Sequence, residues 1–322
     1  MTYRVVVTDQ VFPDVEVERS ILASIGAELL VPAGDRGEVL AAAHEADALL
    51  NTYMALDRPA LESLPRCRIV ARYGIGIDNI DLDAARDARI VVTNVPDYCV
   101  EEVAAHTVAM LLSLLRRLPE AHAAVRDGGW GIGHVAPPRR LSTLTIGLVG
   151  YGRIARRVAG ALAPFGPRLV AHDPYAPPEP PPAQGAAEGP VPVSSVGLDE
   201  LFATSDAVLL HCPLTSETRG LVDAKRLRTM RSHAVLVNTS RGPLVVMDDL
   251  VDALRAAVIA GAALDVFETE PPDAAALADV PRLMLSPHVA FYSVEAIRES
   301  QHKAATQVRK VLAGEPPDYR VV

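Results

Sequence analysis

A chain of 322 residues, 49% hydrophobic and 22% charged, is long enough for two domains with separate cores and too apolar to be disordered. Its net charge of −9, with basic residues scattered, leaves no footprint for nucleic acid or an anionic membrane surface. Three cysteines without paired spacing argue against a disulfide framework or a bound metal, and no apolar run approaches the ~20 residues of a membrane span.

The chain starts directly with an apolar strand, Tyr3 to Thr8, without the pattern of a signal peptide, so a cytoplasmic protein is expected. Strands at Arg4–Thr8, Glu28–Val31, Ala48–Asn51, Arg68–Arg72 and Ile90–Asn94 alternate with helical spans such as Glu16–Ile25 and Leu82–Arg86. A longer helix follows, its apolar residues running from Val100 to Leu118 at three- and four-residue steps and limited by Pro119. After a Gly- and Pro-rich loop, 128–138, six further strands are predicted: Leu144–Val149, Arg168–His172, Ala207–Leu210, Ala234–Asn238, Ala262–Leu264 and Arg282–Leu285. A last helix, about Ser293 to Leu312, is expected to return to the first domain. The run Pro177 to Pro192 holds seven prolines and reads as an exposed insertion. Short β-branched runs alternating with helices define an α/β protein of two doubly wound parallel sheets, with domains at 1–98 plus 290–322 and at 99–289.

Strand Leu144–Val149 runs into Gly150-Tyr151-Gly152-Arg153-Ile154-Ala155 and then into the apolar stripe Ile154, Val158, Leu162. This is GxGxxA in a strand–turn–helix setting. Gly150 permits the tight turn, and Gly152 lets the backbone approach a pyrophosphate resting on the helix N-terminus. Asp173 closes the next strand about twenty residues on, where a carboxylate accepts from ribose hydroxyls and repels a 2′-phosphate, so NAD is favoured over NADP. Asp173 before Pro174 also suits an ordinary turn.

Arg241, Glu270 and His288 each lie just past a strand of the second domain, the end at which doubly wound sheets bind ligands. Reducing a 2-oxo acid requires a proton donor, a cation for the carboxylate and a group that keeps the donor protonated. A carboxylate beside a histidine favours the imidazolium, which casts Glu270 and His288 as partners and His288 as general acid. Arg241 can grip a carboxylate with its planar fork.

These residues, with Arg72-Tyr73-Gly74-Ile75-Gly76-Ile77-Asp78-Asn79, Asn94-Val95-Pro96, Leu210-His211-Cys212-Pro213-Leu214-Thr215, Asn238-Thr239-Ser240-Arg241-Gly242, Ala263 to Pro271 and Ser286-Pro287-His288, resemble the D-isomer-specific 2-hydroxyacid dehydrogenases over nearly the whole chain. That family includes phosphoglycerate dehydrogenase, glyoxylate reductase and the C-terminal binding protein corepressors. The resemblance implies a Rossmann-type NAD domain inserted in a flavodoxin-like substrate domain, a catalytic triad of Arg241, Glu270 and His288, and a homodimer. It also implies that amides around Ile75 and Gly76 bind the substrate carboxylate, with Arg72, Tyr73 and Gly74 beside them. The dinucleotide is then expected against Gly150, Tyr151, Gly152, Arg153, Ile154, Asp173, His211, Cys212, Pro213, Thr218, Thr239, Ser240, Arg241, Asp265 and His288.

Tyr53 and Phe291 suggest a partly apolar pocket for the substrate side chain, and the aromatic pair Phe291-Tyr292 leans toward the corepressor-like branch. Glu270 stands where formate dehydrogenases carry glutamine, and Ile75 where phosphite dehydrogenases carry lysine, so neither chemistry is expected. The segment Val103-Ala104-Ala105-His106 lacks the acidic residue that many members of the family place before the histidine, with no catalytic consequence expected; His106 is read as packing or hydrogen-bonding in the crossing helix rather than touching substrate, and Trp130 as a packing or subunit contact. Without a regulatory extension, control by serine is not expected. The expected activity is NAD(H)-dependent hydride transfer to or from C2 of a small 2-oxo or 2-hydroxy acid. The alternative is a dinucleotide-sensing, corepressor-like interaction protein.

Overall fold

The computed structural model describes residues 2–175 and 191–322 and divides into two compact units, Met1–Cys99 with Tyr292–Val322, and Val100–Phe291. Nearly all of the proline-rich run lies outside the described residues.

In unit 1, β1 (Arg4–Val7), α1 (Glu16–Ala23), β2 (Glu28–Leu30), α2 (Arg36–Ala43), β3 (Ala48–Asn51), α3 (Arg58–Glu62), β4 (Ile69–Arg72), α4 (Leu82–Asp87) and β5 (Val91–Thr93) alternate strictly. The sheet is wholly parallel, in the order β2-β1-β3-β4-β5. Strands buried on both faces must be apolar throughout, and Val5, Val6, Leu49, Leu50, Ile69 and Val70 are each fully buried. The order reverses between β1 and β3, the position at which such sheets open a crevice at their carboxyl ends.

Unit 2 begins with α5 (Val100–Leu115) and α6 (Leu118–Arg126), followed by β6 (Thr145–Val149), α7 (Arg153–Leu162), β7 (Arg168–His172), β8 (Val193–Ser195), α8 (Leu198–Thr204) and β9 (Ala207–Leu210). It continues through α9 (Ala224–Thr229), β10 (Val235–Asn238), α10 (Met247–Arg255), β11 (Gly261–Leu264), α11 (Ala274–Leu277) and β12 (Leu283–Leu285), and α12 (Val294–Leu312) returns the chain to unit 1. The seven strands are parallel in the order β12-β11-β10-β9-β6-β7-β8, reversing between β6 and β9. Both units therefore have the expected doubly wound architecture.

Two expectations need correction. Strand β8 was not foreseen, because its Val-Ser-Ser sequence is short, with two exposed serines at a sheet edge. The long helix was expected to reach Leu118 and stop at Pro119, whereas α5 ends at Leu115. Arg117 turns left-handed at φ 55° as the N-cap of α6, and Pro119 falls in the first turn of that helix, where no intrahelical bond needs a proline N–H.

Candidate active site

The glycine loop joins β6 to α7 at the reversal in unit 2. Gly150 has φ +87°, and a Cβ there would lie 2.7 Å from the Cys212 nitrogen and 2.8 Å from the His211 carbonyl, so this glycine lets the loops after β6 and β9 touch through their backbones. Gly152 is different. Its φ of −79° is open to any residue, and a Cβ would meet nothing within 4 Å.

Gly152 is also the N-cap of α7, with no side-chain cap, whereas α2, α3, α4, α9 and α12 have their first-turn amides capped by Asp or Ser. A helix start that its own cap residue leaves uncapped, beside an open space at Gly152, suits a phosphate. Asp173 accepts from the Tyr151 N–H at 2.8 Å and from the Tyr175 N–H at 2.8 Å, so the turn-forming role and the bridge to the glycine loop coexist. His211 Nε2 is buried and finds no hydrogen-bond partner among the described residues, and burial pushes its imidazole pKa down to about 4. A neutral ring with an unanswered polar atom next to the glycine loop also fits a bound dinucleotide.

Other residues expected at the cofactor make hydrogen bonds that brace the loops. Thr239 Oγ1 pairs with Thr107 Oγ1 at 2.7 Å in a buried contact, and Ser240 Oγ donates to the Cys212 carbonyl at 2.6 Å. Thr218 Oγ1 donates to the Pro213 carbonyl at 2.7 Å and accepts from the Thr215 N–H, which shapes the loop after β9.

Arg241, Glu270 and His288 follow β10, β11 and β12, three neighbouring strands. His288 Nδ1 lies 2.7 Å from Glu270 Oε2, and Glu270 Oε1 accepts from the Phe267 N–H at 2.9 Å. Burial pushes the Glu270 carboxyl up, yet the hydrogen bonds from His288 and Phe267 and the charges of His288 and Arg241 outweigh it and hold the group below its usual range. With Nδ1 on the carboxylate, Nε2 is the ring nitrogen on which a proton would be exchanged. Arg241 Nη1 donates to the Ser240 carbonyl at 2.8 Å, while the Arg241 carbonyl accepts from Asn238 Nδ2 at 2.8 Å. At Gly242 a Cβ would fall 1.9 Å from the Phe267 carbonyl carbon, so only glycine lets the arginine and glutamate loops meet. Phe291 stands edge-on to the His288 ring, centroids 6.2 Å apart.

In unit 1, the Gly74 carbonyl accepts from the Val95 N–H and the Ile75 carbonyl from Asn94 Nδ2. No described residue accepts from the Ile75 or Gly76 amides. A Cβ at Gly74 would stand 1.9 Å from Arg72 Nη1, so that glycine makes room for the buried guanidinium, whose Nε donates to Asn79 Oδ1. Tyr73 contributes only backbone to this loop: its side chain is 2% exposed and its hydroxyl donates to Glu18 Oε1, which corrects the expectation that it touches substrate. Tyr53 is 45% exposed in unit 1, whereas Phe291 belongs to unit 2.

The sequence reading overlooked Asp9, which stands after β1 and accepts from the amides of Thr52, Tyr53 and Met54 after β3. Its place at a strand end beside the reversal was the available signal.

Two parallel doubly wound units, one with a glycine-rich helix start and a His–Glu pair at its strand ends, define a dinucleotide-binding α/β protein. Residues 108–290 match the family model "D-isomer specific 2-hydroxyacid dehydrogenase, NAD binding domain", and the chain belongs to that family. It is 36% identical over 300 residues to a D-3-phosphoglycerate dehydrogenase of Mycobacterium tuberculosis, covering 92% of this chain but 55% of that protein, so it spans about half that relative's length. A glyoxylate reductase of Thermofilum pendens is 36% identical over 288 residues, 88% of this chain and 83% of its own. A D-lactate dehydrogenase from Aquifex aeolicus, solved with NAD and lactic acid, superposes with a TM-score of 0.85 at 26% identity, over 97% of this chain and 96% of the other. These relatives are dehydrogenases and reductases, and they lend no support to the corepressor-like alternative.

Proposed function

We propose that this protein is an NAD(H)-dependent dehydrogenase that interconverts a small 2-oxo acid and its D-2-hydroxy acid, with His288, Glu270 and Arg241 as its catalytic groups. The observation that carries this reading is the 2.7 Å contact between His288 Nδ1 and Glu270 on loops after neighbouring strands. NADH supplies the hydride delivered to C2. Held by Glu270 at Nδ1, His288 delivers a proton from Nε2 to the carbonyl oxygen and recovers it in the reverse direction. Arg241 binds the carboxylate and polarises the carbonyl. Gly150, Gly152, the α7 N-terminus and Asp173 hold the dinucleotide, the Asp173 charge disfavouring a 2′-phosphate.

The substrate is a small 2-oxo acid, in keeping with the glyoxylate and lactate in the relatives' names. Three buried free thiols suit a reducing compartment such as the cytoplasm. A homodimer is supported by α6, which has no buried residue, and by the following loop, where Trp130 is 85% and Ile132 99% exposed. Equilibrium sedimentation of the wild type and of Ile132→Asp tests this, and a monomeric wild type refutes it.

The decisive experiment follows NADH absorbance across a panel of 2-oxo acids with small, branched, aromatic, acidic and phosphorylated side chains. Turnover that His288→Ala lowers by about 10²–10⁴ is expected. Tight NADH binding without turnover on any panel member would overturn the assignment.

A further inference from the structure

Asp265, fully buried after β11, gives both carboxylate oxygens to the turn that carries His288. Oδ1 accepts from Ser286 Oγ at 2.5 Å and from the Val289 N–H at 3.0 Å, and Oδ2 from the Ala290 N–H at 2.8 Å. The Asp265 carbonyl also accepts from the His288 N–H at 2.8 Å. The turn needs these anchors. His288 itself sits at φ +55°, a left-handed conformation that is strained for a non-glycine residue and persists where its surroundings over-determine it.

Ser286 has a single hydroxyl proton, and it goes to Asp265. The Ser286 oxygen therefore accepts from His106 Nε2, 3.0 Å away on α5, and this fixes the His106 tautomer with its proton on Nε2. His106 Nε2 also lies 3.7 Å from Asp265 Oδ1. Although these are the three residue types of a hydrolytic triad, the order is wrong for one. The serine stands between histidine and aspartate and gives its proton to the carboxylate, so it cannot be the nucleophile of a Ser–His–Asp relay.

We propose that His106 is a positioning residue for the reaction: donating through Ser286 to Asp265, it holds the 286–290 turn so that His288 presents Nε2 correctly. The inference rests on the reading of His288 as proton donor. A misplacement of ~1 Å at a reacting group can lower a rate by about 100-fold. A turn loosened at one of its anchors should therefore lose about tenfold in kcat while the glycine loop, a separate segment, keeps its affinity for NADH.

The test compares the wild type with His106→Phe, His106→Gln, Ser286→Ala, the His106→Phe/Ser286→Ala double variant and His288→Ala. Each is assayed for kcat and KM on the best 2-oxo acid and for NADH affinity by fluorescence. Phenylalanine keeps the ring and removes the donor, whereas glutamine places an amide nitrogen where Nε2 stands. We expect a kcat loss of about tenfold in His106→Phe and in Ser286→Ala, NADH affinity within about twofold, and recovery in His106→Gln. The double variant should be no slower than either single one, since both break one chain. Wild-type kcat in His106→Phe, fully additive losses, or a loss of NADH affinity alone overturns the proposal. Should His106→Phe fail to fold, the Ser286→Ala and His106→Gln pair decides. An inactive wild type, or an active His288→Ala, sinks the functional reading itself, whereas an inactive His288→Ala beside a fully active His106→Phe sinks only this inference.

Discussion

Alanine at Gly150 and at Gly152 separates the two functions of the glycine loop. At Gly150 a methyl group meets the backbone of His211 and Cys212 at 2.7–2.8 Å, and the residue is held at φ +87°. The left-handed conformation costs about 1–2 kcal/mol, and relief of the backbone overlap brings the total to roughly 2–4 kcal/mol. At about 2–4 °C per kcal/mol for a unit of this size, the melting temperature should fall by roughly 5–15 °C. At Gly152 the backbone is unstrained and the space open, leaving only the poorer N-cap preference of alanine, about 0.5–1 kcal/mol. That variant should melt within about 4 °C of the wild type. It should nevertheless bind NADH at least about tenfold more weakly, a loss of about 1.4 kcal/mol, because the methyl enters the space assigned to the pyrophosphate. Scanning calorimetry and NADH fluorescence titration read the two effects separately. Wild-type NADH affinity in Gly152→Ala would refute the assignment of that space, and unchanged stability in Gly150→Ala would refute the loop geometry.

Gly242→Ala should be the most damaging single-methyl change, since its Cβ overlaps the Phe267 carbonyl at 1.9 Å; loss of soluble protein, or at least ~3 kcal/mol in denaturant unfolding, is expected. Cys67, Cys99 and Cys212 are 7%, 2% and 8% exposed, and burial pushes the Cys67 thiol up to about 12 and Cys212 to about 11. An aromatic disulfide reagent should find no fast-reacting thiol in the native protein and three after denaturation. Glu18 is fully buried, and desolvation raises its pKa despite hydrogen bonds from Tyr73 and Gln301. A carboxyl whose folded pKa is raised stabilises less as pH climbs from its unfolded value through its folded one. The melting temperature of Glu18→Gln minus that of the wild type should therefore grow with pH across that window, and a constant difference would refute the account.

Apolar strands buried on both faces announced themselves by composition, and β3, β7 and β9 occupy the spans read from sequence alone. The edge strand β8 carries no such signal, because an exposed serine pair reads as loop. At the site, Gly150 and Gly152 were legible as a motif, but which one serves the fold and which the ligand depends on what lies across the loop. His106 illustrates the deeper limit. Its partner Ser286 is 180 positions away, and nothing in a helix stripe tells a hydrogen-bonding histidine from a packing one. Asp9 and Glu18 were missed for the same reason: each acts through partners brought together only by the sheet topology.

The discontinuity of unit 1 bears on how the chain matures. Unit 2 is one uninterrupted stretch, whereas unit 1 is completed by α12, which is synthesised after all of unit 2. Until α12 emerges, Glu18 lacks the amide of Gln301, and the Tyr73 carbonyl lacks the Ser300 hydroxyl. The ribosome thus releases a nascent chain whose nucleotide-binding half can be finished first, while the five-stranded sheet waits with α1 and β4 uncovered. In pulse proteolysis of stalled chains, protection of residues 100–175 and 191–291 should precede that of residues 2–99.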